Sequence, residues 1–120
     1  MITYGTTINA VLEAAEGCEK EGISVEVLKL ATIAPLDFAA IEASCRKTGR
    51  VLVVEETSNH GCVADELFAR LLQSGVMGHF CKQNLGDGYI CHGAMQDLYA
   101  LAGLNAQALR DKIREVCHEA

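Results

Sequence analysis

The 120-residue chain has the length of one compact domain, and a domain of this size buries roughly two thirds of the surface that its unfolded chain exposes. Half of the residues are apolar and 22% are charged, which excludes an intrinsically disordered chain. The net charge of −6, without any Lys/Arg cluster, argues against a surface for nucleic acids or anionic membranes. No apolar run reaches the roughly 18 residues that span a bilayer, and the first residues do not resemble a signal peptide, so we expect a cytoplasmic protein.

The first half of the chain alternates between the apolar periods of strands and helices. Gly5 and the two threonines after it form a turn into the first helix, and Gly22 stops that helix. The predicted elements are, in chain order, a strand at 2–4, a helix from about residue 8, a strand at 23–27, and a helix at 37–47 that follows Pro35 and has Asp37 as its N-terminal cap or first-turn acid.

The second half opens with the most apolar strand, after Gly49 ends the preceding helix. Residues 51–54 are apolar on both faces, which is typical of a central strand that is covered on two sides. The elements predicted after it are a helix carrying the apolar residues from Val63 to Leu72, a strand at 76–81, a long polar connection at 82–93, a short helix at 94–102 and a final helix from Asn105.

Four strands alternating with helices predict a mostly parallel sheet between two layers of helices. No internal repeat, linker or low-complexity tract interrupts the sequence, so we treat residues 1–120 as a single domain. The first strand begins almost at Met1. We therefore expect the chain to be a fragment of a longer protein.

Two acids at the end of the central strand are the first candidates for a functional site. Ligands collect at the carboxyl ends of parallel strands, where Glu55 and Glu56 lie. Neighbouring residues of a strand point to opposite faces, so we do not expect the two carboxylates to act as a pair on one substrate. Three roles stay open: catalysis by one of them, hydrogen bonds to the backbone of the next turn or helix, and contact with another domain or subunit.

The turn at Gly5 and Thr6 is a second candidate, because the free N–H groups at the start of a helix can bind an anion. The glycine-rich motifs that bind phosphate are absent, which leaves simple capping as the alternative. His60 precedes Gly61, and His92 also precedes a glycine, where a histidine is either a turn residue or a catalyst. His92 lies in the longest loop, and long loops are often functional.

The six cysteines are scattered along the chain without a C-x-x-C pair. This pattern indicates buried thiols in a reducing compartment. The alternative is a metal site formed by Cys81, Cys91 and His92, although the sequence offers no further ligand nearby. We therefore predict no metal site.

The longest recognisable pattern combines a Y-G strand end, a helix with E-A, the run E-G-I-x-V-x-V-x-x-L, a P-L-D turn and a strand G-x-V-x-V-x-E-E, over about residues 3–72. With this pattern the chain resembles the C-terminal domain of transketolase-type, thiamine-diphosphate-dependent enzymes. The tail GDGYICHGAMQDLYALAGLNAQALRDKIREV is similar to the end of the 1-deoxy-D-xylulose-5-phosphate synthases. His60-Gly61 departs from the two glycines that these synthases usually have after the paired acids.

The resemblance implies a three-layer α/β/α sandwich around a mostly parallel sheet of five strands, with one edge strand antiparallel to the others. The residues themselves predict only four strands. The fifth strand would lie in residues 87–92, where the segment GYICH is short and apolar.

The resemblance also implies that the chain is the non-catalytic part of a larger enzyme. In this family the first two domains bind thiamine diphosphate and Mg²⁺, whereas the C-terminal domain supplies packing, dimer contacts and regulation. The cofactor motifs have no counterpart in the chain, so we expect no catalytic, cofactor-binding or metal-binding residue in it. The expected partners are the cofactor-binding domains of the same enzyme and a second copy of that parent enzyme. The candidate interface or anion site then consists of Gly5, Thr6, Glu55, Glu56, His60, Gly61 and His92.

The parent reaction that the resemblance implies joins pyruvate to glyceraldehyde 3-phosphate with loss of carbon dioxide, for isoprenoid synthesis. One alternative is the C-terminal section of a transketolase or of a 2-oxoacid dehydrogenase beta subunit. The other is a stand-alone module that binds a small anion or nucleotide near Gly5, Glu55 and His60.

Overall fold

The computed structural model describes residues 1–118, in which strands and helices alternate. A single 3-10 turn, Gly5–Thr7, leads from the first strand into the first helix. The strands are β1 (Ile2–Thr3), β2 (Leu28–Lys29), β3 (Arg50–Val54) and β4 (His79–Gln83), and the helices are α1 (Ile8–Glu19), α2 (Phe38–Thr48), α3 (Val63–Gln73), α4 (Met95–Ala102) and α5 (Ala106–His118).

The four strands form one sheet in the order β2-β1-β3-β4, and every neighbouring pair is parallel. Ile2 pairs with Leu28 on one side and with Val53 on the other, and Val54 pairs with Gln83. Since the strands are parallel, their carboxyl ends meet at one edge of the molecule.

Two hydrophobic cores cover the two faces of this sheet. Side chains alternate along β3, so Val51 and Val53 join the core with α2 and α3, whereas Leu52 and Val54 join the core with α1 and α5. The predicted three-layer α/β/α arrangement around a parallel sheet is confirmed.

The helices begin and end at residues suited to those positions. The Asp37 carboxylate accepts a hydrogen bond from the backbone N–H of Ala40, and Asn105 accepts one from Ala108, each satisfying a free donor of a first turn. Gly49 ends α2 with a φ of 66°, a conformation that other residues adopt only under strain.

Two strands lie later in the chain than the alternating pattern predicted. Residues 23–27 are not part of the sheet, because pairing with β1 starts at Leu28, whose N–H donates to the carbonyl of Met1. β4 starts at His79 rather than Val76, because the N–H of Val76 instead donates to Leu71 and closes the end of α3.

The fifth strand expected in residues 87–92 is absent from the described part of the chain, and the sheet there has no antiparallel edge. After β4 the N–H of Leu85 still bonds to Thr57, but the N–H of Gly86 turns back to the side chain of Asn84. Gly86 has a φ of 70°, so the chain leaves the sheet edge here. Residues 87–94 form an exposed loop before α4.

An ion cluster joins α1 to α5 on the surface. The Glu21 carboxylate, just after α1, accepts hydrogen bonds from Arg110 at 2.5 Å and from Arg114 at 2.6 and 2.8 Å. The two guanidinium groups, with Arg114 contributing most, lower the pKa of Glu21 to about 2.

Cys18, Cys45 and Cys62 are buried thiols, whereas Cys91 is exposed in the loop before α4. Within residues 1–118, none of the helices combines the length and the apolar character needed to cross a bilayer.

Candidate functional site

The carboxylate of Glu55 lies at the carboxyl end of β3 and is fully buried. Its two oxygens accept hydrogen bonds from the backbone N–H groups of Val63 (3.1 Å) and Ala64 (3.0 Å), the first residues of α3. Residue 62, which precedes α3, makes no side-chain cap of its own. Glu55 therefore caps α3 from the neighbouring strand, where its negative charge also meets the positive end of the helix dipole.

Tyr4, at the end of β1, completes the environment of this carboxylate. Its hydroxyl donates to the Glu55 carboxylate at 2.8 Å. Burial, followed by the hydrogen bond and negative charge of Glu55, raises the pKa of Tyr4 well above its usual range. The Tyr4 hydroxyl thus remains a proton donor to Glu55 at any physiological pH, and the Glu55 carboxylate is fully enclosed by partners from within the domain.

Glu56, by contrast, is exposed at the same edge of the sheet. One of its carboxylate oxygens accepts hydrogen bonds from the Thr6 hydroxyl at 2.6 Å and from the Tyr99 hydroxyl at 3.0 Å. Glu56 therefore ties the turn after β1 to α4 across the end of β3. The adjacent acids are directed to different partners, as the alternation of side chains along a strand requires.

His60 contacts the loop that follows β4. Its ring Nδ1 lies 3.1 Å from the carboxylate of Asp87, which also accepts the backbone N–H of Asn59 at 3.0 Å. The hydrogen bond from His60 lowers the pKa of Asp87. Both side chains are exposed, so the pair links two surface loops without forming a closed pocket.

A second ion pair lies beside the start of α3. The Lys82 ammonium, on β4, donates to Asp65 at 2.7 Å, and it also contacts the backbone carbonyl of Asn59 at 3.3 Å and the sulfur of Cys62 at 3.6 Å. The hydrogen bond with Lys82 lowers the pKa of Asp65, and the same contact raises the pKa of Lys82. These contacts hold the segment between β3 and α3 against β4.

The remaining candidate residues are placed as follows. Gly5 is exposed and opens the 3-10 turn, so it lies beside Thr6 at the edge. Gly61 is exposed two residues before α3. His92 is exposed in the loop before α4, and the described hydrogen bonds do not join it to the two glutamates.

Two tyrosines at this edge do not stand out in the sequence. Tyr4 could be anticipated, because it directly follows β1, the neighbour of β3, and strand ends meet at one edge. Tyr99 lies 43 positions from Glu56 along the chain, and no local pattern relates the two residues.

Metal ligation finds no support in this geometry. Within the described residues 1–118, His, Cys, Asp and Glu side chains form no group of three or more that could hold a metal ion. The contacts at the edge are instead hydrogen bonds and ion pairs that fasten turns and helices to the ends of β1, β3 and β4.

The chain as a whole is similar to several known proteins. Its structure is similar to that of a solved protein described as a split gene transketolase, an inactive beta4 tetramer, with a TM-score of 0.78 and 26% identity. The match covers 96% of this chain and 37% of that one.

Two curated relatives are similar in sequence. The 1-deoxy-D-xylulose-5-phosphate synthase of Chlorobium phaeovibrioides is 33% identical over 95% of this chain, and the pyruvate dehydrogenase E1 component subunit beta of Bacillus subtilis is 40% identical over 64% of it. The chain spans 18% of the synthase and 24% of the beta subunit. The family pattern described as "Transketolase, C-terminal domain" matches residues 1–109. The chain therefore belongs to the transketolase C-terminal domain family.

Proposed function

We propose that the chain is the non-catalytic C-terminal domain of a cytoplasmic, thiamine-diphosphate-dependent transferase of two-carbon units. In this proposal the parent enzyme is a 1-deoxy-D-xylulose-5-phosphate synthase, which joins pyruvate to glyceraldehyde 3-phosphate for isoprenoid synthesis. Thiamine diphosphate and Mg²⁺ bind to other domains of the parent. This domain contributes packing and contacts within a homodimer of the parent.

The observation that carries the proposal is that the Glu55 carboxylate is buried and hydrogen-bonded within the chain. Glu55 is the acid at the position where α/β enzymes place their ligands, yet its carboxylate is enclosed and accepts hydrogen bonds from Tyr4, Val63 and Ala64. A general base has to reach a proton of its substrate, directly or through one water molecule. Glu55 fits a structural role better than that catalytic one.

The choice of a synthase as the parent rests on the extent of the matches. The synthase match extends over 95% of the chain, whereas the match to the beta subunit stops at 64%. A match over nearly the whole chain necessarily includes most of the loop before α4 and of the last two helices. A transketolase or a dehydrogenase beta subunit is the alternative parent.

The exposed residues at the carboxyl edge of the sheet form the interface in this proposal. Thr6 and Glu56 are held together by a hydrogen bond, and His60 and His92 project from the two adjacent loops. Gly5 and Gly61 leave the backbone accessible at the two turns, and Glu55 fixes the helix beneath them. The alternative ligand at this edge is a small anion. The negatively charged Glu56 carboxylate beside Thr6 would repel it.

Isothermal titration calorimetry tests the proposal directly. Thiamine diphosphate with Mg²⁺ is titrated into the chain, with the complete Chlorobium phaeovibrioides synthase as positive control. We expect heat of binding for the synthase and none for the chain; saturable micromolar binding to the chain would contradict the non-catalytic role. The same titration with inorganic phosphate tests the anion-binding alternative, which requires saturation within the millimolar range.

A further inference from the structure

Helix α4 leaves several apolar residues exposed to solvent, and only Tyr99 and Ala102 pack partly against the core of α1 and α5. Every residue of this helix except Gln96 and Asp97 is apolar, yet none of the eight is buried. Each of the other four helices buries two or three residues in a core. Met95 and Leu101 on α4 are 59% and 79% exposed. An apolar helix face of this kind usually marks a contact surface.

The loop before α4 extends this surface. Tyr89 is 96% exposed and Ile90 is 43% exposed. Between loop and helix lies a groove of about 300 Å³ whose floor includes Leu85 and Leu98, and no charged residue lines it. We call this surface the α4 patch, and it consists of Leu85, Tyr89, Ile90, Met95, Leu98 and Leu101.

Charges around the α4 patch indicate the chemistry of its partner. Asp97 lies on the exposed side of α4, Asp87 lies at the start of the loop, and Glu56 is hydrogen-bonded to Tyr99 of the helix. The rim is thus acidic, on a chain whose net charge is −6. A complementary partner presents apolar side chains to the groove and Lys or Arg to the rim.

The size of the α4 patch distinguishes between two kinds of occupant. The patch consists of six residues, whereas a stable complex of separate proteins buries about 800 Å², or roughly 20–30 residues, on each partner. Contacts between domains of one enzyme are smaller, at about 600–1,500 Å² in total. A second copy of this chain would also bring a second acidic rim against the first.

We infer that the α4 patch is the surface through which this domain docks onto the cofactor-binding portion of its parent enzyme. The occupant is an apolar segment of that portion flanked by basic side chains. This inference rests on the proposed function, and it assigns the contact to a specific helix and loop. The edge with Thr6 and His60 then lies beside the docked segment and contributes polar contacts at its rim.

A binding experiment with matched variants tests the inference. The probe is the Chlorobium phaeovibrioides synthase from which the segment matching this chain has been deleted, titrated with the chain. We expect Leu101→Asp to raise the dissociation constant by about tenfold or more, because it places a charge in an apolar contact. A tenfold change in the dissociation constant equals about 1.4 kcal/mol of binding free energy. Tyr89→Ser should act in the same direction. The control is Met77→Asp, because Met77 is 80% exposed in the connection before β4, at the opposite end of the sheet.

The outcomes separate the inference from the proposed function. Binding that Leu101→Asp and Tyr89→Ser leave unchanged overturns the α4 patch while supporting the proposed function. No binding of the unmodified chain at about 100 µM, to a deleted synthase that still binds thiamine diphosphate and is therefore folded, overturns the inference; this limit corresponds to a binding free energy weaker than about −5.5 kcal/mol. The proposed function is tested separately by the titration with thiamine diphosphate. Sedimentation velocity of the chain alone is run in parallel. A dimer that Leu101→Asp dissociates would overturn the inference, because the α4 patch would then pair with a second copy.

Discussion

At the scale of the residue, Glu55 joins three elements through one side chain. It belongs to the end of β3, it receives the hydroxyl of Tyr4 from the end of β1, and it caps the first turn of α3. A buried carboxylate is favourable only when its hydrogen bonds are satisfied, which is the arrangement here. We therefore expect the folded domain to depend on this residue even though its side chain is closed off from solvent.

The substitution Glu55→Gln tests this dependence. The amide group turns an acceptor into a donor, so at least one of its three donors loses its partner while buried. We expect the free energy of unfolding to fall by about 1–3 kcal/mol. Urea unfolding followed by circular dichroism measures the loss. Glu56→Gln is the matched control, and its exposed position limits the expected change to about 0.5 kcal/mol. Equal losses in the two variants would contradict the capping role.

Much of this edge could be predicted from the sequence, because it depends on strand ends. The pattern placed Glu55 and Glu56 at the end of a central strand and Thr6 in the turn after β1. It could not decide among catalysis, backbone capping and contact with a partner, since that choice depends on how the 55–62 segment returns to α3. Tyr99 was missed because its contact with Glu56 arises only from tertiary packing.

At the scale of the element, we expect the ion cluster between α1 and α5 to make the stability of the fold depend on pH. The two guanidinium groups favour the charged form of Glu21 and lower its pKa from 4.5 to about 2. A group whose pKa falls on folding stabilises the folded state above its unfolded pKa and loses that contribution as pH falls through the folded pKa. The contribution of Glu21 should therefore be complete above about pH 5 and disappear between pH 4.5 and 2.

This dependence can be measured by comparing unfolding free energies at pH 6, 4 and 2.5. Glu21→Gln should lower the stability at pH 6 and make it less sensitive to acid, so that the variant and the unmodified chain converge near pH 2. Glu13→Gln, on an exposed position of α1, is the control and should keep the acid sensitivity of the unmodified chain. A constant difference between Glu21→Gln and the unmodified chain at every pH would rule out the ion cluster as the cause.

The order of the elements could be predicted well, whereas strand boundaries could not. The alternation at residues 23, 25 and 27 reflects packing against the core of α1 and α5, since Ile23, Val25 and Val27 contact that core outside the sheet. Period-two burial alone therefore does not distinguish a hydrogen-bonded strand from an extended segment. Hydrogen bonding is decided by the neighbouring strand, which the local sequence does not contain.

At the scale of the whole molecule, the single sheet makes the two cores depend on each other. Leu67 lies in the core with α2 and α3, and Leu109 lies in the core with α1 and α5; both are fully buried. Leu67→Ala and Leu109→Ala should each lower the free energy of unfolding by about 2–5 kcal/mol. Because β3 contributes to both cores, each variant should still unfold in one transition, measured by calorimetry and by circular dichroism. Two separate transitions, of which only one shifts, would show that the cores unfold independently.

Fold class was predictable because alternating strands and helices leave few arrangements. The expected fifth strand was wrong for the described residues, since the apolar run at 88–91 belongs to the exposed loop of the α4 patch. Apolar character alone could not separate a covered sheet edge from a surface that awaits a partner.

The position of Glu55 also bears on how the chain avoids incorrect strand pairing. Residues 51–54 are all apolar, so a shift of β3 by one residue would exchange its two faces with little loss of hydrophobic contact. The same shift would move the Glu55 carboxylate to the other side of the sheet, away from the N–H groups that begin α3. An unpaired buried carboxylate is far costlier than an imperfect apolar fit. The Glu55 side chain thus favours a single alignment for a strand whose four apolar residues would accept two.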